Sequence, residues 1–376
     1  MQTKRGQGTL SLKRDEGATV DSRQQQRVTA PAPAQFRLDI AVSQGNVHEF
    51  DLWRFGLSPL VSVEVSPAVR SSFSVNMTSY QFADLAIASG TSSGATYERS
   101  GQTIARSGLD NISLLFYPVA GRLDIEGEET DVCPGDILVL DLTRRFKVQV
   151  PDFESLSIIL PRTALAPLVS NLDALHGLVL PKASPLNTML IQHFHTLFAE
   201  LPALAPQDCR AAARGTAALI AAMVGANTNG RGVAPKAAAV SSLHALRRIV
   251  DANLANSDLG PEFLSLKLGM SRATLYRLFE PLGGVRRYIQ QRRLTRAYQT
   301  ITDPENGSER VGAIAARYGF RNDSVFSRAF RDAYGLSPTD VREAWRSDSS
   351  AAFGHAKENE FIIMNRWLLG LEAAGR

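Results

Sequence analysis

The sequence contains few cysteines and no long apolar run. Its two cysteines, Cys133 and Cys209, are far apart in a chain of 376 residues. Two thiols can supply neither a disulfide framework nor a four-ligand zinc site, which favours a reducing compartment. The longest apolar stretch, residues 217–226, is about half of the roughly 18 residues that a membrane span needs. The sequence therefore predicts a soluble, cytoplasmic protein without a membrane partner.

The N-terminus lacks the apolar core and the small-residue cleavage site of a secretory signal. Residues 1–34 are charged, rich in glutamine and without hydrophobic periodicity, and they end in alternating alanine and proline. Such a composition buries too little apolar surface to offset the entropy of ordering the chain. We expect residues 1–34 to form a disordered tail.

Acidic residues are outnumbered in one third of the chain. Residues 241–345 contain fifteen arginines and one lysine against eleven acidic residues, while the rest of the chain is nearly neutral. The planar guanidinium group suits phosphates and the edge of guanine. This excess favours nucleic acid as the partner of this third, although a solvated basic surface would show the same charge.

The hydrophobic pattern divides the chain into a β-rich half and a helical third, as its length also suggests. Residues 36–162 show short apolar runs and glycine-rich turns, which predict an antiparallel barrel or sandwich. Residues 186–201 and 209–224 have helical periodicity, and the apolar face of this helical hairpin requires the barrel or a second subunit as its partner. Periodicity is lost after residue 226, where we place an interdomain linker over 226–240.

A first helix-turn-helix pattern begins at Pro261, a residue suited to the first turn of a helix. Gly269 can adopt the positive φ of a tight turn, and Ser271 is a good N-cap for a second helix over 272–279. The spacing predicts an inward stripe of Leu275, Leu278 and Phe279 and an outer face of Arg272, Ala273, Tyr276 and Arg277.

The same pattern returns about 50 residues later. Tyr318-Gly319-Phe320 forms the turn and Asn322 caps a second recognition helix over 323–330. Its predicted inward residues are Val325, Phe326 and Phe330, and its outward residues are Asp323, Ser324, Ser327 and Arg328. One such pattern is weak evidence, but two at a fixed spacing strongly predict DNA binding.

An arginine-rich helix over 286–302 joins the two units. A rigid connection would allow both recognition helices to enter successive major grooves, about 34 Å apart. Arg277 and Arg328 could each pair with guanine, or else bind a phosphate or an acid on their own helix. Arg293 could pair within the protein. The residues expected at phosphates or on solvated faces are Arg286, Arg287, Arg292 and Arg296.

The helical third resembles the AraC/XylS family of bacterial transcriptional regulators. The resemblance covers residues 242–345 and is carried by Arg293-Leu294 with Ala297, and by residues 314–320, 326–330 and 334–338. A less specific similarity in the N-terminal half lies at residues 134–137, Asp141 and Pro161-Arg162. By position, the base-reading residues of the family correspond to the eight outer-face residues named above for the two recognition helices.

The resemblance implies an α+β protein with a cupin-like antiparallel barrel and a helical hairpin, followed by an all-α double helix-turn-helix domain. It implies a regulator, usually an activator, that binds double-stranded DNA and RNA polymerase, uses no cofactor, and responds to a small organic effector or forms a homodimer. We expect an effector and dimerisation domain over 35–225, a DNA-binding domain over 241–345, and an extension over 346–376 with an amphipathic helix. The extension and the Gly283-Gly284 pair depart from the family pattern.

The competing hypothesis is a ligand-binding or catalytic barrel whose helical third is a protein-interaction module. Gly90-Thr91-Ser92-Ser93-Gly94 fits a nucleophile elbow, but the elbow needs a following helix and residues 95–104 are strand-like. No histidine lies between residues 51 and 175 to bind a metal in the barrel, and His193 and His195 point about 200° apart on a helix. We therefore expect no enzyme and no metal site. The aromatic residues of this half single out no effector contact.

Overall fold

The computed structural model describes residues 34–41, 48–228, 237–303, 306–349, 364–365 and 368–371. All but the last residue of the expected tail, and most of the expected C-terminal extension, lie outside these ranges. The described chain has a β-rich N-terminal part and a helical C-terminal part, as the sequence predicts.

The N-terminal part contains two antiparallel sheets that face each other. The seven-stranded sheet has the order β1 (Ala34–Ala41), β3 (Ser74–Phe82), β4 (Leu85–Ser92), β11 (Phe153–Pro161), β6 (Asn111–Phe116), β9 (Ile137–Asp141) and β12 (Leu178–Leu180). The five-stranded sheet has the order β2 (Ser62–Glu64), β5 (Ala95–Arg99), β10 (Phe146–Val150), β7 (Gly121–Ile125) and β8 (Glu128–Val132). Apolar side chains from both sheets form one core, which confirms the prediction of an antiparallel barrel or sandwich.

Among the described residues, six α-helices accompany the sheets: α1 (His48–Leu57), α2 (Pro67–Arg70), α3 (Gly101–Ser107), α4 (Arg162–Leu165), α5 (Pro185–Glu200) and α6 (Cys209–Thr228). The larger sheet buries both of its faces. In β9, Leu138 and Leu140 belong to the core between the sheets, whereas Ile137 and Val139 pack with α5 and α6. The partner of the helical hairpin is therefore the barrel.

The β-rich half contains helices that the sequence pattern did not indicate. The stretch expected to be strand-like at 95–104 ends its strand at Arg99 and begins α3 at Gly101. The Ser100 hydroxyl accepts a hydrogen bond from the Thr103 N–H at 3.2 Å, which caps this helix. Of the two cysteines, Cys209 is buried and Cys133 is exposed.

The C-terminal part contains α7 (Ala237–Ala252), α8 (Pro261–Leu268), α9 (Arg272–Phe279), α10 (Val285–Ile301), α11 (Val311–Arg317), α12 (Asp323–Tyr334) and α13 (Pro338–Ser349). Helices α6 and α7 extend into the range expected for the linker. Only residues 229–236 separate them, and these lie outside the described residues.

Helix α3 of the barrel part is packed inside the helical part. Ile104 and Ala105 lie in the core of the first helix-turn-helix unit, together with Leu246 and Tyr288. The approach is so close that a Cβ atom at Gly101 would lie 1.8 Å from the Pro281 carbonyl oxygen. The two parts of the chain therefore share a core through α3.

Hydrogen bonds reinforce this contact. Arg106 of α3 donates to the Ala333 carbonyl oxygen at 3.2 Å and to the Ser58 carbonyl oxygen at 3.1 Å. From the helical part, the guanidinium of Arg292 on α10 donates to the carbonyl oxygen of Ser107, the last residue of α3, at 2.8 Å. The last turn of α3 is thus held by side chains and backbone of both parts.

His176 is buried as a neutral ring beside strand β9. Its Nδ1 accepts a hydrogen bond from the Asp141 N–H at 3.1 Å, and its Nε2 lies 3.1 Å from the Arg145 carbonyl oxygen. Burial lowers the pKa of His176 to about 4, from about 6.5 in the unfolded chain. Between these values the unfolded state binds more protons, so folding stability decreases as the pH falls.

Because of His176, we expect the free energy of unfolding to fall by about 2 kcal/mol when the pH is lowered from 7 to 5. Substitution His176→Gln should make the pH dependence of the unfolding free energy shallower by that amount, as measured by urea unfolding at both pH values. His195→Gln is the control, because His195 is exposed. A wild-type pH dependence in His176→Gln would contradict the assignment.

Candidate nucleic-acid interface and barrel cavity

The first helix-turn-helix unit has the local geometry that its sequence predicts. Helix α8 ends at Gly269, which adopts a left-handed conformation with φ of 63°. The Ser271 hydroxyl then accepts a hydrogen bond from the Thr274 N–H at 3.2 Å, which begins α9. Glycine is required at this turn because the left-handed region is costly for residues with a Cβ atom.

Helix α9 buries one face and exposes the other. Leu275 and Phe279 are buried and Leu278 is half-buried. The four expected outer-face residues are all exposed: Arg272, Ala273, Tyr276 and Arg277. Arg272 lies 3.3 Å from a Glu262 carboxylate oxygen, but both side chains are exposed and such a pair contributes little. The outer face of α9 is therefore available to a partner.

The second unit repeats this geometry. Gly319 has a φ of 77° in the turn, and the Asn322 carboxamide oxygen accepts from the Ser324 N–H at 2.8 Å to cap α12. Asp323, Ser324 and Arg328 are exposed, and Ser327 is half-buried. The structure thus places all four of these predicted residues on the accessible side of α12.

The inward orientation predicted for Val325 is wrong, because its side chain is 57% exposed. The buried stripe of α12 consists of Phe326, Phe330 and Tyr334, which recur every four residues. Val325 precedes this stripe by one residue, which rotates it by about 100°. It adds an apolar side chain to the exposed face, where it could contact a thymine methyl group.

Of the four arginines of α10 that are expected at phosphates or on solvated faces, three are accessible and one is buried. Arg286 and Arg287 are exposed, and Arg296 is half-buried and donates to Gln299 at 2.8 Å. Arg292, expected at a phosphate, is 0% exposed, so this prediction is wrong. Helix α3 covers this face of α10, and Arg292 also binds a carboxylate oxygen of Asp251 at 2.7 Å.

Arg293 pairs within the protein, as its sequence position suggested. It donates to the Leu254 carbonyl oxygen at 3.1 Å and to the Asn256 carbonyl oxygen at 2.7 Å. Gly283 and Gly284 both have positive φ, and the Gly284 N–H donates to the Phe279 carbonyl oxygen at 2.8 Å. This pair forms a tight turn that leads the chain from α9 into α10.

The nucleophile-elbow pattern lies at the end of β4 and in the turn that connects it to β5, a strand of the other sheet. Ser92 ends β4, and the chain continues directly as β5, so the helix that an elbow requires does not follow.

The two helical histidines have partners of other kinds. His193 contacts the Thr216 hydroxyl at 2.9 Å, and His195 stacks edge-on with Phe116. In the described ranges, no three His, Cys, Asp or Glu side chains cluster as metal ligands would. None of the described helices is both long and apolar enough to cross a bilayer.

The barrel encloses a cavity of about 160 Å³ that the sequence alone did not reveal. Trp53, Tyr97, Tyr117 and Phe146 contribute to its walls. These walls come from both sheets, from α1, and from Met364 and Leu368 near the C-terminus. In the sequence, the cavity is indicated by the small size of several residues on the strands of the larger sheet. Which of these residues face inward is known only from the strand register.

Comparisons with known proteins found relatives in sequence and in structure. The chain is 33% identical over 96 residues to the transcriptional activator NphR of Rhodococcus sp., a match that covers 25% of this chain and 27% of that protein. The chain therefore spans about a quarter of the length of this relative. Among solved structures, the AraC-like transcriptional activator CuxR matches at 27% identity and a TM-score of 0.49, over 70% of this chain and 95% of that chain. ToxT of Vibrio cholerae O395 matches at 13% identity and a TM-score of 0.41, over 72% and 97%.

Two family models match the two parts of the chain separately. The model described as an AraC-binding-like domain covers residues 58–224, which contain most of the barrel and the helices α5 and α6. The model described as a helix-turn-helix domain covers residues 264–344, which contain both recognition helices and α10. The chain therefore combines an AraC-binding-like domain with a C-terminal helix-turn-helix domain, and it is similar to AraC-like regulators.

Proposed function

We propose that this protein is a sequence-specific transcriptional regulator that reads a promoter site with α9 and α12. The observation that carries the proposal is the exposure of polar and basic residues on one face of each of these two capped helices. Helix α10, which joins the two units, has 17 residues and is therefore about 25 Å long. This length suits two helices that enter neighbouring turns of one major groove.

The exposed residues divide into base-reading and positioning groups. Arg277 and Arg328 are the candidates for bidentate contacts to guanine, and Asp323 can accept from the amino group of cytosine. Arg272, Ala273, Tyr276, Ser324 and Ser327 complete the two reading faces. Arg286, Arg287 and Arg296 are the candidates for phosphate contacts, which position the protein without specifying sequence.

Regulation would come from the N-terminal part over residues 35–225. A small organic effector or a second copy of the chain can act there by favouring one arrangement of barrel and helical part over another. The shared core around α3 supports such coupling, because a shift of the barrel must move residues packed against α10. As an activator, the protein would contact RNA polymerase in the cytoplasm. The family favours this role over a catalytic one.

In-vitro selection of genomic DNA fragments by the full-length protein at physiological salt tests this proposal. We expect a recurrent motif with two half-sites about 10 bp apart, because each recognition helix reads one major-groove turn. Binding should weaken steeply as the salt concentration rises, since phosphate contacts release counterions.

The matched control is a variant with Arg277→Ala and Arg328→Ala, whose substituted residues are exposed and whose fold should be unchanged. It should recover no motif while retaining weak binding to bulk DNA. Enrichment of the same motif by this variant would contradict the assignment of α9 and α12 as reading helices. If folded wild-type protein showed no salt-sensitive duplex binding, the helical part would be a protein-interaction module instead.

A further inference from the structure

The barrel cavity exists because three neighbouring strands present small side chains to it. Ser79 on β3 lies opposite Ala88 on β4, which lies opposite Ser157 on β11, and all three line the cavity. In the next inward row, Gly90 lies opposite Ser155. A filled barrel would carry branched residues at such positions. The volume of about 160 Å³ resembles that of an engineered apolar cavity of about 150 Å³ that binds benzene.

The described residues that line this cavity carry no charge. Among the described residues that line it, none is Asp, Glu, Lys, Arg or His, and the polar ones are serines, a threonine, an asparagine and two tyrosines. Burial raises the pKa of Tyr97 to about 12 and also raises the pKa of Tyr117, so both phenols stay neutral. A charged ligand would lose its hydration here without gaining an opposite charge. The walls therefore select an uncharged molecule.

One wall residue has an unused hydrogen-bond donor. Trp53 lines the cavity and is 3% exposed, and its indole N–H has no acceptor within the described part of the protein. A buried donor without a partner is costly and rare in native proteins. A ligand with a carbonyl, hydroxyl or ether oxygen would supply the acceptor.

The C-terminal segment, residues 364–365 and 368–371, closes this cavity and also reaches the helical part. Met364 and Leu368 line the cavity, whereas the adjacent Leu369 lies in the core of the second helix-turn-helix unit. The Asn365 side chain donates to the Phe55 carbonyl oxygen at 2.7 Å on the barrel side. On the opposite side, Gln299 of α10 donates to the Leu369 carbonyl oxygen at 3.1 Å.

We propose that the cavity binds an uncharged, mainly apolar molecule of about single-ring size that carries an oxygen acceptor, and that the C-terminal segment transmits its binding to the second helix-turn-helix unit. This inference deepens the proposed function and rests on it for the DNA readout. The transmission requires no long pathway. Neighbouring residues of one short segment pack against the ligand site and against the core that supports α12, so both sites bias the same element.

The ligand class is tested by calorimetric titration of the full-length protein with three compounds of one size. Acetophenone is uncharged and carries an acceptor, toluene lacks the acceptor, and benzoate is charged. We expect acetophenone to bind at least about tenfold more tightly than benzoate and more tightly than toluene. Equal or tighter binding of benzoate would overturn the proposal, as would failure of both acetophenone and toluene to bind up to their solubility limits.

Three substitutions test whether acetophenone binds in the barrel cavity. Ala88→Leu should abolish acetophenone binding by filling the cavity, whereas Ala211→Leu on the exposed face of α6 should leave it unchanged. Trp53→Phe removes the indole donor together with part of the ring, so it should weaken acetophenone about tenfold more than it weakens toluene. Full acetophenone affinity in a folded Ala88→Leu protein would place the ligand elsewhere.

The transmission is tested with two neighbouring substitutions and a selected DNA fragment. Leu368→Ala should weaken acetophenone about tenfold, while Leu368→Met, which retains the volume, should bind normally. Leu369→Ala should bind acetophenone within about twofold of wild type but lose the effect of acetophenone on DNA affinity. An unchanged effect in Leu369→Ala, or no effect of acetophenone on DNA binding by wild type, would overturn the transmission.

These outcomes separate the two proposals. If no DNA site is selected, the proposed function fails, but the calorimetric titrations still decide the ligand class. If a DNA site is selected and no uncharged ring compound binds, the proposed function stands and the cavity inference is wrong.

Discussion

Arg328→Ala is expected to lower the affinity for the selected DNA site by roughly 5- to 150-fold, which corresponds to one lost bidentate guanine contact of about 1–3 kcal/mol. Arg328 is exposed on the outer face of α12, and its substitution disturbs no buried contact. Affinity for random DNA should fall much less, because base contacts contribute little there. Electrophoretic mobility shifts on cognate and random duplexes measure both losses. Arg277→Ala makes the corresponding test on α9.

Arg287→Ala is the matched control for these substitutions. Arg287 is exposed at the start of α10 and is expected to contact a phosphate. Its loss should weaken cognate and random binding about equally and reduce the salt slope by about one. If Arg328→Ala and Arg287→Ala behaved alike on both duplexes, the division into reading and positioning residues would be wrong.

Arg292→Ala is expected to destabilise the folded protein by about 3–5 kcal/mol. The guanidinium of Arg292 is fully buried between α10 and α3 and donates to Asp251 and to the Ser107 carbonyl oxygen. Its removal leaves Asp251 mostly buried beside a cavity, at the place where the barrel part and the helical part meet. The loss therefore weakens the contact between the two parts as well as the helical core.

Arg286→Ala on the same helix provides the comparison, because Arg286 is exposed and its loss should change stability by less than about 0.5 kcal/mol. Urea unfolding followed by circular dichroism and by tryptophan fluorescence measures both variants. Separate transitions for the two signals in Arg292→Ala would indicate that the parts unfold independently once α3 is released. If Arg286→Ala and Arg292→Ala had the same free energy of unfolding within error, the stabilising role of the buried Arg292 side chain would be contradicted.

The helix-turn-helix units could be predicted because their determinants are local. A glycine at the turn and a serine or asparagine cap act within four residues along the chain, and Gly269, Ser271, Gly319 and Asn322 all have the expected geometry. The outer faces of α9 and α12 follow from helical periodicity and the caps. Their roles as DNA contacts remain predictions.

The error at Arg292 concerns a helix face that a distant element covers. Arg292 has the same local surroundings in the sequence as its exposed neighbours on α10, and only the packing of α3 from the barrel part makes it buried. Helix α3 itself lies in a polar stretch whose short length gives a weak periodic signal. Val325 was misplaced for a different reason, because a short helix with apolar residues at 325, 326 and 330 permits two stripes.

By itself, the amino-acid sequence determined the two-part organisation, the positions of the two capped helices α9 and α12 and the resemblance to AraC-type regulators, because these depend on periodicity and turn chemistry over short distances. The tertiary structure alone decided that α3 enters the helical core, that a cavity remains inside the barrel, and that Leu368 and Leu369 face different cores. These features join residues separated by tens to hundreds of positions. Strand register and the burial of apolar surface decide which of these distant residues come into contact.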